Sequence, residues 1–251
     1  MKRKRVLRKL TTAEAAAYER DGFVIVPGIF PGEELDRIDR EIDRLRADRD
    51  QQDGQKYNII LQLGLRSPMT RAICSDERIL TLIEDLVQPG IAIYSAKMVE
   101  KPPYDDTVCH WHQDDAYYQQ TSHSDCRMSI WLPLTDCDET NGCLWTVPGS
   151  HKQGLQEWTQ RAFGFCNLAF EDGLAQLDGA IPVRIAAGDI LLFHALTWHR
   201  SLSNQTDHKR RSFIVSYQDA EAIKGNGPQH KILRAAESTK LSLNNGCKGL
   251  L

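Results

Sequence analysis

From residue 91 onward the apolar residues of this chain alternate instead of recurring every three to four positions. Residues 91–99, 127–134, 143–147, 181–185, 190–194 and 211–218 each read as a short strand. Turn signals separate them: the Pro102-Pro103 loop, the polar turn 136–142, Pro148-Gly149-Ser150-His151 and Ala187-Gly188-Asp189. Helical periodicity is confined to the first ninety residues. This order argues against a βαβ sheet. It predicts a mainly β fold with N-terminal helices, a double-stranded β-helix (a cupin-like jelly roll) flanked by α-helices.

The helical layer spans about 10–90. Thr11 or Thr12 caps a helix that ends at Asp21-Gly22, and Phe23-Val24-Ile25-Val26 follows as a short strand. Pro31 starts a second helix over 32–46, with Leu35, Ile38, Ile42 and Leu45 on one face. Residues 47–55 read as a polar loop, 57–63 as extended, and 67–74 and 76–86 as two more helices. The long polar stretch 152–180 marks a functional loop, and 220–251 supports no element. No repeat or linker divides the chain, so 1–251 is read as one domain: helical layer, jelly-roll core over about 91–220, and an unassigned tail.

A net charge of −3 gives no basis for nucleic acid or an anionic membrane as partner. Lys2-Arg3-Lys4-Arg5 is followed by no apolar segment of signal-peptide or spanning length. Seven cysteines without C-x-x-C spacing predict reduced thiols, a cytoplasmic location and no zinc site. A small-molecule substrate is then the expected partner; oligomeric state is not readable from the sequence.

Chemistry concentrates in Cys109-His110-Trp111-His112-Gln113-Asp114-Asp115-Ala116-Tyr117-Tyr118. In an extended chain residues i and i+2 share a face, which would align His110, His112 and Asp114. Two histidines and one carboxylate on one side of a metal form the facial triad that binds Fe(II) and leaves three positions open. His112 with Asp114 supplies two ligands, although His110 and Asp115 compete locally. The third must come from afar, and the apolar run 191–199 ends in His199.

Five motifs in order resemble the phytanoyl-CoA dioxygenase family of iron(II)/2-oxoglutarate oxygenases. They are Tyr18-Glu19-Arg20-Asp21-Gly22-Phe23-Val24-Ile25-Val26-Pro27-Gly28; Trp111-His112-Gln113-Asp114; Asn141-Gly142-Cys143-Leu144 with Pro148-Gly149-Ser150-His151; Gly188-Asp189-Ile190-Leu191-Leu192-Phe193-His194; and His199-Arg200-Ser201-Leu202-Ser203-Asn204. The resemblance covers about residues 10–220. It implies that His112, Asp114 and His199 hold Fe(II), that His194 packs or supports a ligand, and that Arg210, in preference to its neighbour Arg211, clamps the far carboxylate of 2-oxoglutarate. Arg211 would face the other way on its strand. Ser201, Ser212 and Lys97 are implied as weaker co-substrate contacts, and Trp131 as a pocket wall. O₂ is the third reactant, and hydroxylation of an unactivated C–H bond with release of succinate and CO₂ is the implied reaction. A carboxylate at Asp114 argues against halogenation, because related halogenases have Gly or Ala there.

Other residues have plainer readings. His151 belongs to a turn, Trp111, Tyr117 and Tyr118 are core or pocket wall, and Asp115 either orients a ligand or is a surface charge. His123, His208 and His230 are expected to be solvated. Segments 57–66, 115–125 and 155–175 are expected to line the pocket. With Asn58, Gln62, Arg66, Gln119, Gln120 and Arg161 among several aromatics, they suggest a polar small molecule with an apolar part over a long acyl chain. Two rival readings are a metal enzyme that does not use 2-oxoglutarate and a silent binding protein. The first gives no reason for Arg210; the second predicts a broken triad.

Overall fold

The structure is a computed structural model and describes residues 7–53, 58–118, 124, 126–160, 168–170, 176–223 and 231–235. The first helix, α1 (Thr12–Asp21), starts in a capping box: the Thr11 side chain accepts from the Glu14 amide and the Glu14 carboxylate accepts from the Thr11 amide. Gly22, at a φ of 83°, turns the chain into β1 (Phe23–Val26).

Helix α2 (Gly32–Asp53) runs past the loop expected at 47–55. The extension is polar but contains no breaker before Gly54, and Arg44 joins the turns by pairing with Glu41 and Asp48. Next, β2 (Ile59–Leu61) is shorter than the expected strand because Gln62 adopts a φ of 57° and opens α3 (Leu63–Arg66). Helices α4 (Pro68–Cys74) and α5 (Glu77–Ile83) complete the layer.

The strands that follow are β3 (Ile91–Lys101), β4 (Cys109–His112) and, after the short α6 (Asp115–Tyr118), β5 (Met128–Pro133) and β6 (Leu144–Thr146). The expected long loop contains a two-stranded ribbon of β7 (Thr159–Gln160) and β8 (Leu168–Ala169). Beyond it lie β9 (Ile181–Val183), β10 (Ile190–His194), β11 (His199–Ser201) and β12 (Arg210–Gln218). In the tail, for which the sequence supported no element, β13 (Ile232–Arg234) pairs with the start of β3.

Among the described residues, one sheet has the order β1-β10-β5-β12-β3-β13 with β2 also on β3, and a second has the order β4-β11-β6-β9. All pairings are antiparallel. The two sheets form the jelly-roll core and α1–α5 flank the larger one.

Side-chain parity on the larger sheet separates core from cavity. Met98, Ile130, Leu132, Phe213, Val215 and Tyr217 join Leu35, Ile38, Ile42 and the apolar faces of α4 and α5 in the main core. The alternate positions, Lys97, Val99, Trp131, Arg210, Ser212 and Ile214, line a cavity on the opposite face. Arg211 falls on the helix side. It bonds Glu100 beside it and reaches Asp39 at 2.6 Å and Asp43 at 2.8 Å on α2, while Arg46 also bonds Glu100. This buried network fixes α2 against the sheet.

Of the thiols expected to be reduced, Cys74, Cys137 and Cys143 are free and buried. Cys109 and Cys126 are disulfide-bonded, a correction to that expectation. Local spacing does not reveal which thiols a fold brings within bonding geometry. No helix among the described residues is long and apolar enough to cross a membrane.

Gly188 fixes the turn between β9 and β10 against the loop after β1. Its φ is 85°, and a Cβ there would lie 2.1 Å from the Phe30 carbonyl oxygen. The Gly188 carbonyl accepts from the Phe30 amide at 2.9 Å. Gly188→Ala is expected to destabilise the fold by about 1–3 kcal/mol, read as a fall of several degrees in Tm by calorimetry.

Candidate metal centre and co-substrate pocket

Strand β11 lies between β4 and β6, and its register sets His199 directly opposite His112. The register shifts between His199 and Ser201, so that Ser201 meets Cys109 and β4 carries an extra residue. This bulge breaks the i, i+2 alternation. Cys109 and His112, three apart, both line the cavity, and Cys109 Sγ lies 3.6 Å from His112 Nδ1. His110 does not line the cavity, which removes it as a competing ligand. The strand ends at His112, and Asp114 sits in the turn before α6 rather than on a continued strand.

Ligand atoms of His112, Asp114 and His199 all lie within 4.8 Å of one another, and all three side chains are buried. The imidazoles are 4.1 Å apart between centroids. His112 Nδ1 donates to the His110 carbonyl at 2.8 Å and His199 Nδ1 donates to the Thr197 carbonyl at 2.9 Å. Each ring therefore carries its proton on Nδ1, which leaves Nε2 as the nitrogen with a lone pair to offer a metal. His199 Nε2 is 4.0 Å from Asp114 Oδ1.

Burial dominates the electrostatics. It holds His112 down to about 3 and His199 below its ordinary value, so both rings are neutral at pH 7. Burial alone would raise Asp114. Lys97, the two histidines and a Ser129 hydroxyl outweigh it and keep the carboxyl below the usual range. A dry site with two neutral imidazoles and one carboxylate is a donor set for a divalent transition metal.

The other end of the cavity is cationic. Arg210 is 2 % exposed; its Nη2 donates to the Gly142 carbonyl at 2.8 Å and its Nη1 to Ser212 Oγ at 3.2 Å. Its Nε is buried without a hydrogen-bond partner, and no described carboxylate pairs with it. The guanidinium lies over the Trp131 ring at 5.6 Å. Lys101 is fully buried nearby; burial first, then the Arg210 charge, pushes its ammonium down to about 7. Sequence reasoning assigned Lys101 to a loop and missed it.

Trp131, Ser201, Ser212, Lys97 and Tyr117 all line the cavity, whose volume is about 380 Å³. Lys97 Nζ is 3.9 Å from Asp114 Oδ1. Trp111 is core, with Arg200 stacked on it at 4.8 Å. Asp115 is no surface charge: it is buried and bonds Arg127 Nη2 at 2.9 Å. His194 packs as expected, 5.6 Å from the ring of His151, and His208 is exposed.

The expected polar lining from 57–66 is corrected. Ile59 and Leu61 line the cavity, whereas Asn58, Gln62 and Arg66 do not, because β2 is too short to turn them inward. The side chains of Tyr57, Tyr118, Gln119, Gln120, Arg161, Phe163 and Phe165, with His123 and His230, lie outside the described residues.

A jelly roll carrying a buried His-Asp-His cluster at one end of a cavity and an unpaired arginine at the other defines a mononuclear non-haem oxygenase. The chain belongs to the phytanoyl-CoA dioxygenase (PhyH) family, whose model matches residues 18–212. It is 23% identical over 235 residues to the ectoine dioxygenase of Bordetella bronchiseptica, a match covering 84% of this chain and 76% of that protein. EctD from S. alaskensis, solved with 2-oxoglutarate and 5-hydroxyectoine, has a TM-score of 0.72 at 22% identity, with 85% of this chain and 77% of that one covered. The epimerase SnoN, solved with Fe3+, α-ketoglutarate and nogalamycin RO, has a TM-score of 0.70 at 22% identity, covering 88% of this chain and 98% of that one. By family this protein is a dioxygenase, and structures of the same fold are solved with iron and 2-oxoglutarate.

Burial also holds His194 down to about 4. For His112 and His194 the folded value lies below the unfolded value of about 6.5. The unfolded chain therefore binds more protons between pH 6.5 and 4, and stability falls as pH falls through that window. Metal-free protein is expected to take up about two protons from this pair on unfolding near pH 5. His194→Gln should reduce that uptake by about one, measured as the pH dependence of urea unfolding.

Proposed function

We propose that His112, Asp114 and His199 bind the iron, that Arg210 binds the distal carboxylate of 2-oxoglutarate, and that the enzyme hydroxylates an unactivated C–H bond of a small molecule. The observation that carries this reading is Arg210: a fully buried guanidinium whose Nε has no hydrogen-bond partner, facing the same cavity as the triad and paired with no carboxylate among the described residues. An unpaired buried charge is costly and is retained where a ligand completes it. A planar fork suits a carboxylate. An enzyme that did not use 2-oxoglutarate would have no need of it.

Iron(II) held there, together with 2-oxoglutarate and O₂, supplies an oxidant able to attack an aliphatic C–H bond, with succinate and CO₂ released. The protein's residues supply orientation and dryness. Backbone carbonyls fix the two imidazoles by their Nδ1 protons. Ser212 and the Gly142 carbonyl aim Arg210, and Trp131 supports it from one face. Ser212 thus acts through Arg210, while Ser201, beside His199, faces the co-substrate directly. Lys97 places a positive charge at the metal end, where an anionic group of co-substrate or substrate would meet it. Ile59, Leu61, Val99, Leu144 and Ile214 give the remaining wall an apolar character. That lining and the modest volume favour a small molecule with an apolar part over a long acyl thioester.

Anaerobic titration with Fe(II) and 2-oxoglutarate should produce the weak visible charge-transfer band of the chelate. Arg210→Ala should raise the 2-oxoglutarate Kd by about two orders of magnitude while iron still binds. Asp114→Ala should abolish both the band and succinate release. A wild-type protein that binds iron but shows no band would overturn the co-substrate assignment. Succinate release against a panel of small acids, amino acids and acyl-CoA thioesters tests the substrate class, and turnover of acyl-CoA alone would refute the small-molecule reading.

A further inference from the structure

Strands β5 and β12 are buried along their length, yet each places a serine on the cavity face. The register sets Ser129 directly opposite Ser216. Their hydroxyl oxygens are 2.8 Å apart, and Ser129 Oγ is 3.0 Å from Asp114 Oδ2. Both serines are essentially inaccessible to solvent. The other carboxylate oxygen, Oδ1, faces His199 Nε2 and Lys97 Nζ.

The proton count fixes the direction of this chain. An ionised carboxylate only accepts, so Ser129 donates its single proton to Asp114. Ser129 must then accept from Ser216. Each hydroxyl polarises the next, which strengthens the bond to the carboxylate.

We propose that Ser129, backed by Ser216, is a positioning residue: it holds the outer oxygen of Asp114 so that the carboxylate meets the metal through Oδ1 alone. A carboxylate binding through both oxygens would take a fourth of the six positions around an octahedral iron. Only three would be needed for the two atoms of the 2-oxoglutarate chelate and for O₂, and one of them would be lost. The serine pair keeps the triad facial. This inference rests on the metal-binding reading of His112, Asp114 and His199.

The test is equilibrium binding of Mn(II) by electron paramagnetic resonance, with the visible spectrum of the Co(II)-substituted protein beside it. Ser129→Ala should weaken Mn(II) binding by about tenfold to a hundredfold and change the Co(II) spectrum. Ser129→Thr, which keeps the hydroxyl, should recover most of the loss. Ser216→Ala, which leaves the Asp114 contact in place, should weaken binding by about threefold, and it carries the test if Ser129→Ala does not fold. Because Ser216 acts through Ser129, the double variant should bind no worse than Ser129→Ala. Folded Ser129→Ala with wild-type affinity and an unchanged Co(II) spectrum would overturn the proposal, as would full additivity of the two substitutions. Wild-type protein that takes up no Mn(II) or Co(II) would instead overturn the triad reading, and the serine role with it.

Discussion

The pairing of β11 with β4 is the constraint from which the site follows. Two histidines separated by 86 intervening positions meet only because this antiparallel ladder sets His199 opposite His112. A slip of one residue would turn His199 to the outer face, where Arg200 now stacks on Trp111. The register shift near His110 does the complementary work. It rotates that ring away and brings Cys109 and His112 to the same side. The smaller sheet thus contributes both imidazoles at a fixed spacing. The turn after β4 then needs to place only one carboxylate.

The larger sheet follows a simpler rule, the period of two. Along β5 and β12 the odd and even positions divide between helices and cavity, and this separates two adjacent arginines. Arg211 meets Asp39 and Asp43 on α2, while Arg210 turns to the cavity. One arginine is saturated with carboxylates and ties the helical layer down; the other pairs with none among the described residues. Adjacent identical residues have opposite physical states because the strand alternates.

That alternation explains why much of the fold and site was legible in the chain. The switch of period at residue 91, the turn residues between strands and the N-cap at Thr11 or Thr12 are local signals, and the elements they predict are present. His112, Asp114, His199, Arg210, Trp131 and Ser201 were assignable because five motifs in order resemble one family. The signals that failed were non-local. The end of α2 was misplaced because a polar surface helix looks like a loop until its i, i+4 pairs are visible. The i, i+2 argument for His112 and Asp114 rested on a geometry the strand does not have, since no pattern announces a bulge. Asn58, Gln62 and Arg66 pointed elsewhere because polarity alone does not orient a side chain. Cys109 and Cys126 are each disulfide-bonded although the sequence gave no hint of it. Lys101 read as a loop residue and Ser129 as an ordinary strand residue, and their importance appears only through Arg210 and Asp114.

Charge connects these features. Arg210 lies close enough to buried Lys101 to disfavour its proton, and Lys97 stands beside the carboxylate of the triad. A fold selected for stability alone would replace such cations with apolar side chains or give each a carboxylate, as it has done for Arg211. At Arg210 the cavity does neither among the described residues. Its surplus positive charge lies at both ends, and the proposed co-substrate is a dianion with one carboxylate for each end. The buried charge that weakens the empty protein is the same charge that binds this ligand, because desolvation is already complete before the carboxylates arrive. The saturated network around Arg211 carries rigidity on one face of β12, and the unsaturated one around Arg210 carries chemistry on the other.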